Sequence, residues 1–335
     1  KMRIVLIGAG AIGGSIAACM AKQGYDLTVV AKYEEYASLI ENQGIEITGV
    51  KGNFVQKIKA VAKVSQLTGK FDIVFVATKA YDVKENLLSL IPYLKENTSV
   101  VSLQNGICTD LYQEVVGQDR TVGCVVGYGA TMHQKGKIEI TSTGNFVIGS
   151  IVKTFKGDLK AVQTCLNTTF ETIISDDIYS NLYSKLIINS CITSLGALTG
   201  LNLGEMMKIK KIRVIFLKII DEAIAVANAN HIQVPPYGGK LDYYKLYQRK
   251  SKFGNFINHL IIQIVGKKYR HLKSSSLQSL QRGQKTEIDY FNGYIVSLGK
   301  QVQVPTPINE KLVQMIKEIE LHQRKITLDN INDIQ

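Results

Sequence analysis

The sequence predicts an α/β fold: a Rossmann-type doubly wound sheet followed by an all-helical C-terminal domain. Up to about residue 125, continuous apolar runs typical of buried parallel strands alternate with helical patterns. After about residue 176 the strand signals largely end, and long helical patterns follow. The 335 residues also exceed the size that one hydrophobic core usually reaches. We therefore predict two domains, residues 1–172 and 173–335.

The individual elements follow from these patterns. Strands are predicted at 3–7, 26–30, 72–77 and 99–103, with helices at 12–23 and 83–94 between them. This βαβ rhythm predicts a parallel sheet. Alternating patterns with glycine-rich turns over 121–149 predict antiparallel hairpins appended to that sheet. In the second domain, helices are predicted at about 177–199, 205–230, 275–300 and 308–324, with a break at 235–239.

Composition excludes several classes of protein. Hydrophobic residues make up 45% of the chain and charged residues 20%, as in ordinary globular proteins. No apolar run reaches the roughly 18 residues of a membrane span, and no secretory signal precedes the first strand. The five cysteines form no CxxC pair and the five histidines no HExxH spacing, so we predict buried free thiols and no metal site. We expect a cytoplasmic protein.

The net charge of +12 favours anionic ligands. Basic clusters occur at 208–213 and 267–273, but no nucleic-acid reader motif accompanies them, so we interpret them as solvated helix faces. A positive field suits a dinucleotide phosphate and a small carboxylate. We expect a small-molecule substrate and neither nucleic acid nor membrane as a partner.

A glycine-rich turn follows the first predicted strand and opens the first predicted helix. Its GxGxxG pattern consists of Gly8, Ala9, Gly10, Ala11, Ile12 and Gly13. In this context Gly8 permits a tight turn, Gly10 lets a phosphate approach the backbone, and Gly13 allows close helix–strand packing. Because the helix N-terminus then faces the pyrophosphate, we predict a dinucleotide-binding loop rather than a turn without a ligand.

Two lysines follow predicted strands at the sheet edge that lines the ligand crevice. Lys32 ends the second strand, where NAD-specific folds usually place an acid, and a cation there suits the 2′-phosphate of NADPH. Against this, Glu34 and Glu35 follow closely, and a solvated surface lysine is the plainer interpretation. Lys79 follows the third strand, where a structural lysine is an equally good interpretation. We predict NADPH as the cofactor.

Four further stretches identify the family that the chain resembles. They are VATKAYDV at 76–83, LQNGI at 103–107, LYSKLIINSCI at 182–192 and SLQSLQRGQKTEIDYFNG at 276–293. In this order and at these separations, the chain resembles the ketopantoate reductase family over nearly its whole length. The resemblance implies reduction of the 2-oxo acid ketopantoate to pantoate with NADPH, in pantothenate biosynthesis, in a cleft between the two domains.

The resemblance also implies residue roles. The catalytic lysine falls on Lys185, and Glu287 holds that lysine and the cofactor end of the site. The substrate-binding positions fall on Asn105, Asn189, Thr193 and Ser275. The cofactor positions outside the glycine loop fall on Lys32, Lys79, Asn105 and Glu287.

The chemistry of these residues fits the reaction. Lys185 and Asn189 are four residues apart on a predicted helix, about 40° around it, so both side chains can face one cleft. A lysine ammonium can polarise a ketone oxygen and then donate a proton to it. Each residue also has a plainer interpretation: Lys185 an exposed helix lysine, Asn189 a satisfied core polar residue, Glu287 an acid favoured at a helix N-terminus. Their joint occurrence favours the catalytic interpretation.

The chain departs from the family pattern in four places. Thr193 stands where a second asparagine is common, and Leu203 replaces the asparagine of a Pro-Asn-Gly-Glu element, with Asn202 adjacent. Tyr183 and Tyr81 stand where tryptophan is frequent. Two alternatives therefore stay open: a reductase of another 2-oxo acid, and a catalytically idle NADP-binding sensor. The sequence does not give the oligomeric state, and a homodimer is one option.

Overall fold

The computed structural model describes residues 1–334 and divides into two compact units, Lys1–Leu182 and Tyr183–Gln335. The strands are β1 (Arg3–Ile7), β2 (Asp26–Val30), β3 (Ile45–Gly49), β4 (Phe54–Gln56), β5 (Lys59–Val61), β6 (Phe71–Val76), β7 (Leu94–Ser102), β8 (Thr121–Val126), β9 (Gly129–Gln134), β10 (Lys137–Ser142), β11 (Phe146–Ser150) and β12 (Thr172–Ile174). The α-helices are α1 (Ala11–Lys22), α2 (Glu34–Asn42), α3 (Val83–Leu90), α4 (Thr109–Val116), α5 (Leu159–Leu166), α6 (Ile178–Thr199), α7 (Leu203–Lys208), α8 (Lys210–Ala229), α9 (Tyr243–Gln248), α10 (Lys252–Lys268), α11 (Ser275–Gln281), α12 (Asn292–Gln301) and α13 (Pro307–Glu320). The 3₁₀ turns are Val64–Gln66, Ala80–Asp82, Ile91–Tyr93, Ile288–Tyr290 and Leu328–Asp333.

A sheet unit followed by a helical unit confirms the predicted fold class. The predicted boundary after residue 172 falls at β12, which pairs in parallel with β11 and so belongs to the sheet unit. The two units divide inside α6, between Leu182 and Tyr183.

The large sheet has the strand order β12-β11-β8-β7-β6-β1-β2-β5. The six strands β8, β7, β6, β1, β2 and β5 pair in parallel with their neighbours. The side chains of the central strands β1, β2, β6 and β8 are almost wholly buried, as expected for a sheet covered on both faces. The chain runs from β1 outward through β2, then returns to β6 on the other side of β1, so the strand order reverses between β1 and β6. In doubly wound sheets, ligands bind outside the carboxyl ends of the strands at this point.

The expectation of hairpins over 121–149 was partly wrong. β8 pairs in parallel with β7, and only β11 adds an antiparallel strand to the large sheet. The β9–β10 hairpin lies instead in a second sheet, ordered β4-β3-β10-β9. The reason is packing against α1: a Cβ added to Gly14 would lie 2.5 Å from Ile138 Cδ1, so β10 covers that helix directly. The short strands β3 and β4 complete this sheet and gave no predictive signal.

The helical unit is more interrupted than predicted. The helix predicted at 205–230 is two helices, because Ile209 adopts an extended ψ of 115° between α7 and α8. The helix predicted at 275–300 is also two, α11 and α12, with Gly283 at a φ of +67° between them. Helix α10 was not predicted. It leaves a stripe of large apolar side chains exposed, with relative accessibilities of 73% for Phe253, 59% for Phe256, 42% for Leu260 and 68% for Ile264.

Two further sequence expectations concern the cysteines and the possibility of a membrane-spanning helix. All five cysteines are buried and none of them forms a disulfide, as predicted. Within residues 1–334, no helix combines the length and the apolar character needed to cross a membrane.

Candidate active site

The glycine loop has one open position and two closed ones. Gly8 has a φ of +96°, and a Cβ there would lie 3.0 Å from the Ala77 carbonyl carbon of β6's end. A Cβ on Gly13 would lie 2.0 Å from the Gly8 oxygen, so both positions exclude any side chain. A Cβ on Gly10, by contrast, would meet nothing within 4 Å. The space in front of Gly10 is therefore what a bound phosphate would fill, whereas Gly8 and Gly13 serve the packing of the loop itself.

The loop presents backbone donors to this space. Gly10 is the N-cap of α1, and the Gly14 N–H donates to the Gly10 oxygen at 2.7 Å, beginning the helical ladder. The N–H groups of the preceding first turn have no partner inside the helix and are available to an anion. Buried Tyr36 donates its hydroxyl to the Ala9 oxygen at 2.7 Å, which holds this carbonyl of the loop in place. No sequence pattern indicates this role of Tyr36.

Lys32 stands in an unusual backbone conformation at the end of β2. Its φ is +69°, and the Tyr33 N–H donates to the Ala31 oxygen at 2.9 Å, so the three residues form a classic γ-turn, which is rare and strained. The Lys32 side chain is exposed and its Nζ lies 5.8 Å from the centre of the Tyr33 ring. The competing acid Glu34 accepts a hydrogen bond from Gln66 Nε2 at 3.1 Å.

Gln104 joins two predicted cofactor segments at the carboxyl edge of the sheet. Its Nε2 donates to the Val76 oxygen at 2.8 Å and to the Thr78 oxygen at 3.2 Å, directly before Lys79. Its Oε1 accepts from Ser102 and from Tyr112, at 2.8 and 2.7 Å. This buried amide thereby fixes exposed Asn105 and half-buried Lys79 at neighbouring strand ends. Sequence reasoning missed Gln104, although it lies inside the LQNGI stretch.

Lys185 and Asn189 mark one line along α6. From residue 182 to residue 199 these two are half-buried and every other position is buried. The turn that carries Lys185 is held by two neighbours: Tyr183 donates to the Ala223 oxygen at 2.7 Å, and Ser184 to the Pro235 oxygen at 2.8 Å. These two half-buried side chains, four residues apart, form an accessible strip on this helix.

Thr193 does not continue this strip. It is buried, and its hydroxyl donates to the Asn189 oxygen one helical turn back at 2.6 Å. The Thr193 carbonyl in turn accepts a hydrogen bond from Ser274 Oγ at 2.7 Å, and a Cβ on Gly196 would lie 2.5 Å from Ser274 Cβ. The start of α11 is therefore held directly against α6, and half-buried Ser275 is the first residue of that helix.

Glu287 lies in a segment anchored by α13. The Thr286 N–H donates to Glu320 at 2.8 Å, and the Asp289 carboxylate pairs with Lys317 Nζ at 2.7 Å. Half-buried Glu287 lies between these two anchors and precedes the 3₁₀ turn Ile288–Tyr290.

The departure at Leu203 has a structural explanation. Leu203 is buried in the first turn of α7. Adjacent Asn202 is the N-cap of that helix and shares a capping box with Glu205: the Glu205 N–H donates to Asn202 Oδ1, and the Asn202 N–H donates to Glu205, each at 2.9 Å. Asn202 therefore caps a helix, and its carbonyl oxygen is already engaged.

The residues around the glycine loop fit a dinucleotide. Gly10 faces open space, while the buried Thr78 Oγ1, at the adjoining end of β6, has no hydrogen-bond partner within residues 1–334. A buried hydroxyl without a partner is rare in native proteins and commonly marks the place of a ligand or water. Backbone donors and a neighbouring hydroxyl are the groups that hold a pyrophosphate.

Comparison with known proteins establishes the family. The Ketopantoate reductase PanE/ApbA profile matches residues 4–153, and the profile of that family's C-terminal domain matches residues 177–320. The chain belongs to the ketopantoate reductase family. This confirms the family predicted from the sequence and makes the protein an oxidoreductase.

Relatives and solved structures agree over the full length. The 2-dehydropantoate 2-reductase of Aquifex aeolicus is 28% identical over 97% of this chain and 99% of its own, and that of Pyrococcus abyssi is 29% identical over 94% and 97%. The crystal structure of a PanE/ApbA family ketopantoate reductase from Ralstonia eutropha JMP134 matches with a TM-score of 0.81 at 24% identity, over 97% of this chain and 100% of that one. D-mandelate dehydrogenase, solved with NADH and anilino(oxo)acetate, matches with a TM-score of 0.83 at 20% identity, over 96% and 99%. These structures share the fold.

Proposed function

We propose that the protein reduces 2-dehydropantoate (ketopantoate) to pantoate with NADPH, as a step of pantothenate biosynthesis. The observation that carries this is the pair Lys185 and Asn189, the half-buried positions of an otherwise buried stretch of α6 in a chain of the ketopantoate reductase family. The decisive experiment is a panel of 2-oxo acids assayed by NADPH oxidation. Ketopantoate should give the highest kcat/KM, and a panel without turnover would support the idle sensor instead.

The domain roles follow from this assignment. The N-terminal sheet unit binds the cofactor through the glycine loop, and the helical unit binds the substrate and carries the proton donor. The loop positions are Gly8, Ala9, Gly10, Ala11, Ile12 and Gly13, joined by Lys32 and Lys79. When bound, the nicotinamide supplies the hydride that the ketone carbon receives.

Lys185 is the proposed general acid. Its ammonium polarises the ketone oxygen and donates a proton to it as alkoxide character develops. Glu287 orients the ammonium and favours its charged form, while also contacting the cofactor. Asn189 and Ser275 fix the small acid by hydrogen bonds, and Asn105 lies beside both the nicotinamide and the substrate. The anchors described above on Ser184 and Thr286 make these positions rigid, as such positioning requires.

The family and the fold imply a nicotinamide cofactor, and we propose NADPH rather than NADH. Exposed Lys32 at the end of β2 supports this, because an ammonium there can pair with the 2′-phosphate. Glu34 supports it as well, since its carboxylate is engaged by Gln66. NADH remains the alternative, because D-mandelate dehydrogenase, which shares the fold, was solved with NADH.

One observation favours a different 2-oxo acid. The Thr193 hydroxyl is bonded to the helix backbone and Asn202 caps α7, so the two side chains that could replace the missing asparagines are both engaged within the protein. A substrate with fewer polar groups than ketopantoate would suit such a pocket. The same panel tests this, since a higher kcat/KM for a less polar 2-oxo acid would replace ketopantoate as the substrate.

We further propose a cytoplasmic homodimer. The apolar stripe Phe253, Phe256, Leu260 and Ile264 supports a second copy as a partner, since monomers rarely leave such a face exposed. Residues 243–286, which include this stripe, contain Lys and Arg but no Asp or Glu. The positively charged faces of two copies therefore repel each other at low salt. Light scattering should therefore show a dimer that tightens as salt rises. A mass of 37.1 kDa at every salt concentration would exclude it.

A further inference from the structure

The region around Tyr33 holds a second lysine that the family resemblance does not assign. The Nζ of Lys135 lies 5.0 Å from the centre of the Tyr33 ring, and that of Lys32 lies 5.8 Å from the same ring. Tyr33 is 54% exposed and both lysines are exposed, so both ammonium groups lie near this ring at an accessible surface. Lys32 comes from the end of β2, whereas Lys135 comes from the turn between β9 and β10.

The turn that carries Lys135 is held in place next to α2. The Glu46 N–H donates to the Gly136 oxygen at 2.7 Å, and a Cβ on Gly136 would lie 2.5 Å from Leu39 Cδ2 of α2. Because α2 begins directly after Tyr33, the hairpin turn and the end of β2 are tied to one helix. The fold therefore holds both segments that carry these lysines next to the same helix.

The charges of this group lack an anion. Within residues 1–334, neither Lys32 nor Lys135 forms an ion pair, and the nearby Glu34 is bonded to Gln66. Two cations drawn to one ring repel each other, and a doubly charged phosphate between them would turn this repulsion into attraction. The position, at the end of the strand whose residues face the adenosine ribose, is the position of a 2′-phosphate.

We propose that Lys135 is a second cation for the 2′-phosphate of NADPH, acting together with Lys32 across the Tyr33 ring. This inference rests on the proposed cofactor preference. It makes the small β4-β3-β10-β9 sheet part of the cofactor site, since that sheet supplies one of the two phosphate ligands. Lys135 then contributes to the choice between NADPH and NADH and has no part in the chemistry of the ketone.

Binding measurements test this independently of turnover. Kd values for NADPH and NADH would be measured by titrating cofactor fluorescence in the wild type, Lys135→Ala, Lys135→Arg and Lys137→Ala. Lys137 is the matched control, an exposed lysine on the same hairpin that lies 3.9 Å from Glu46. We expect Lys135→Ala to weaken NADPH binding about three- to tenfold and leave NADH binding unchanged. Lys135→Arg should restore NADPH binding, and Lys137→Ala should have no effect.

The outcomes separate the two proposals. If the wild type binds NADPH and NADH equally, the cofactor preference itself is wrong and the inference falls with it. If the wild type prefers NADPH but Lys135→Ala behaves like Lys137→Ala, the preference stands and Lys135 has no share in it. Equal weakening of both cofactors by Lys135→Ala also overturns the inference, because a 2′-phosphate contact cannot affect NADH.

Discussion

The cofactor region of the sheet unit and the catalytic region of the helical unit are built in different ways. In the sheet unit the backbone itself makes the site: Gly8 and Gly13 exclude side chains, and Gly10 leaves a space lined by N–H groups. In the helical unit side chains make the site, and Lys185 and Asn189 owe their placement to the burial of their neighbours on α6. A site made by the backbone is disturbed by any added side chain. A site made by side chains is disturbed when their functional groups are replaced. The two regions should therefore fail differently when mutated.

The largest effect is expected at Lys185. Lys185→Ala should lower kcat by about two to four orders of magnitude, the range for loss of a general acid, while NADPH binding and thermal stability stay near those of the wild type. Lys218→Ala, which removes an exposed lysine from α8, is the matched control and should be silent. Turnover of Lys185→Ala close to the wild-type rate would show that Lys185 is an ordinary helix lysine.

The glycine loop offers a pair of substitutions that separates binding from folding. Gly13→Ala should destabilise the protein by about 1–3 kcal/mol in chemical denaturation, because its Cβ would meet the Gly8 oxygen. Gly10→Ala should leave stability nearly unchanged yet raise the NADPH Kd about tenfold or more, because its Cβ enters open space that the phosphate needs. If Gly10→Ala binds NADPH normally, the phosphate does not lie there.

Gln104 tests how far the cofactor region depends on a buried polar anchor. Gln104→Leu removes the amide oxygen that accepts hydrogen bonds from the buried Ser102 and Tyr112 hydroxyls, and should cost about 2–4 kcal/mol of unfolding free energy. Burial raises the pKa of the Tyr112 phenol, so this hydroxyl stays a donor at any ordinary pH. Tyr112→Phe breaks one bond of the network and should cost only about 1 kcal/mol. Equal costs for the two variants would contradict the role of Gln104 as the hub.

The same contrast explains what the sequence could predict. The strands β1 and β2 and the glycine loop were predictable because a parallel strand and a βα turn are each specified by a few adjacent residues. The break at Ile209 was not, because no glycine or proline marks it. Helix α10 was not predicted either, since its apolar stripe is exposed and therefore does not mark a core-facing side. The roles of Gln104, Tyr36 and Lys135 were not predicted, because each of them contacts a residue that is distant in the sequence. The positions of Ser275 and Glu287 came only from the family resemblance, and their roles stay predictions.

Lys32 is the side chain that we expect to add a contact to the otherwise backbone-made cofactor region. The wild type should favour NADPH over NADH in kcat/KM, and Lys32→Ala should reduce the NADPH value about tenfold to a hundredfold, the worth of one good phosphate contact. The NADH value should change little. A wild type with equal efficiencies for the two cofactors would rule out this role for Lys32.

The smallest and most specific effect is expected at Thr193, where the catalytic region departs from its family. The Thr193 hydroxyl donates its hydrogen bond to the Asn189 oxygen, so it has no donor left for a substrate. An asparagine there has a longer side chain with both a donor and an acceptor, and Thr193→Asn should raise kcat/KM for ketopantoate a few-fold, by about 1 kcal/mol at most.

Thr199 provides the control, since it is equally buried on α6 and its hydroxyl also bonds back one turn, to Leu195 at 2.7 Å. Thr199→Asn should carry the same packing cost without any change in substrate ranking. If the native substrate is a less polar 2-oxo acid, Thr193→Asn should raise ketopantoate reduction while lowering reduction of that acid. Identical rankings in the wild type and both variants would show that the α6 strip ends at Asn189 and that specificity is set elsewhere.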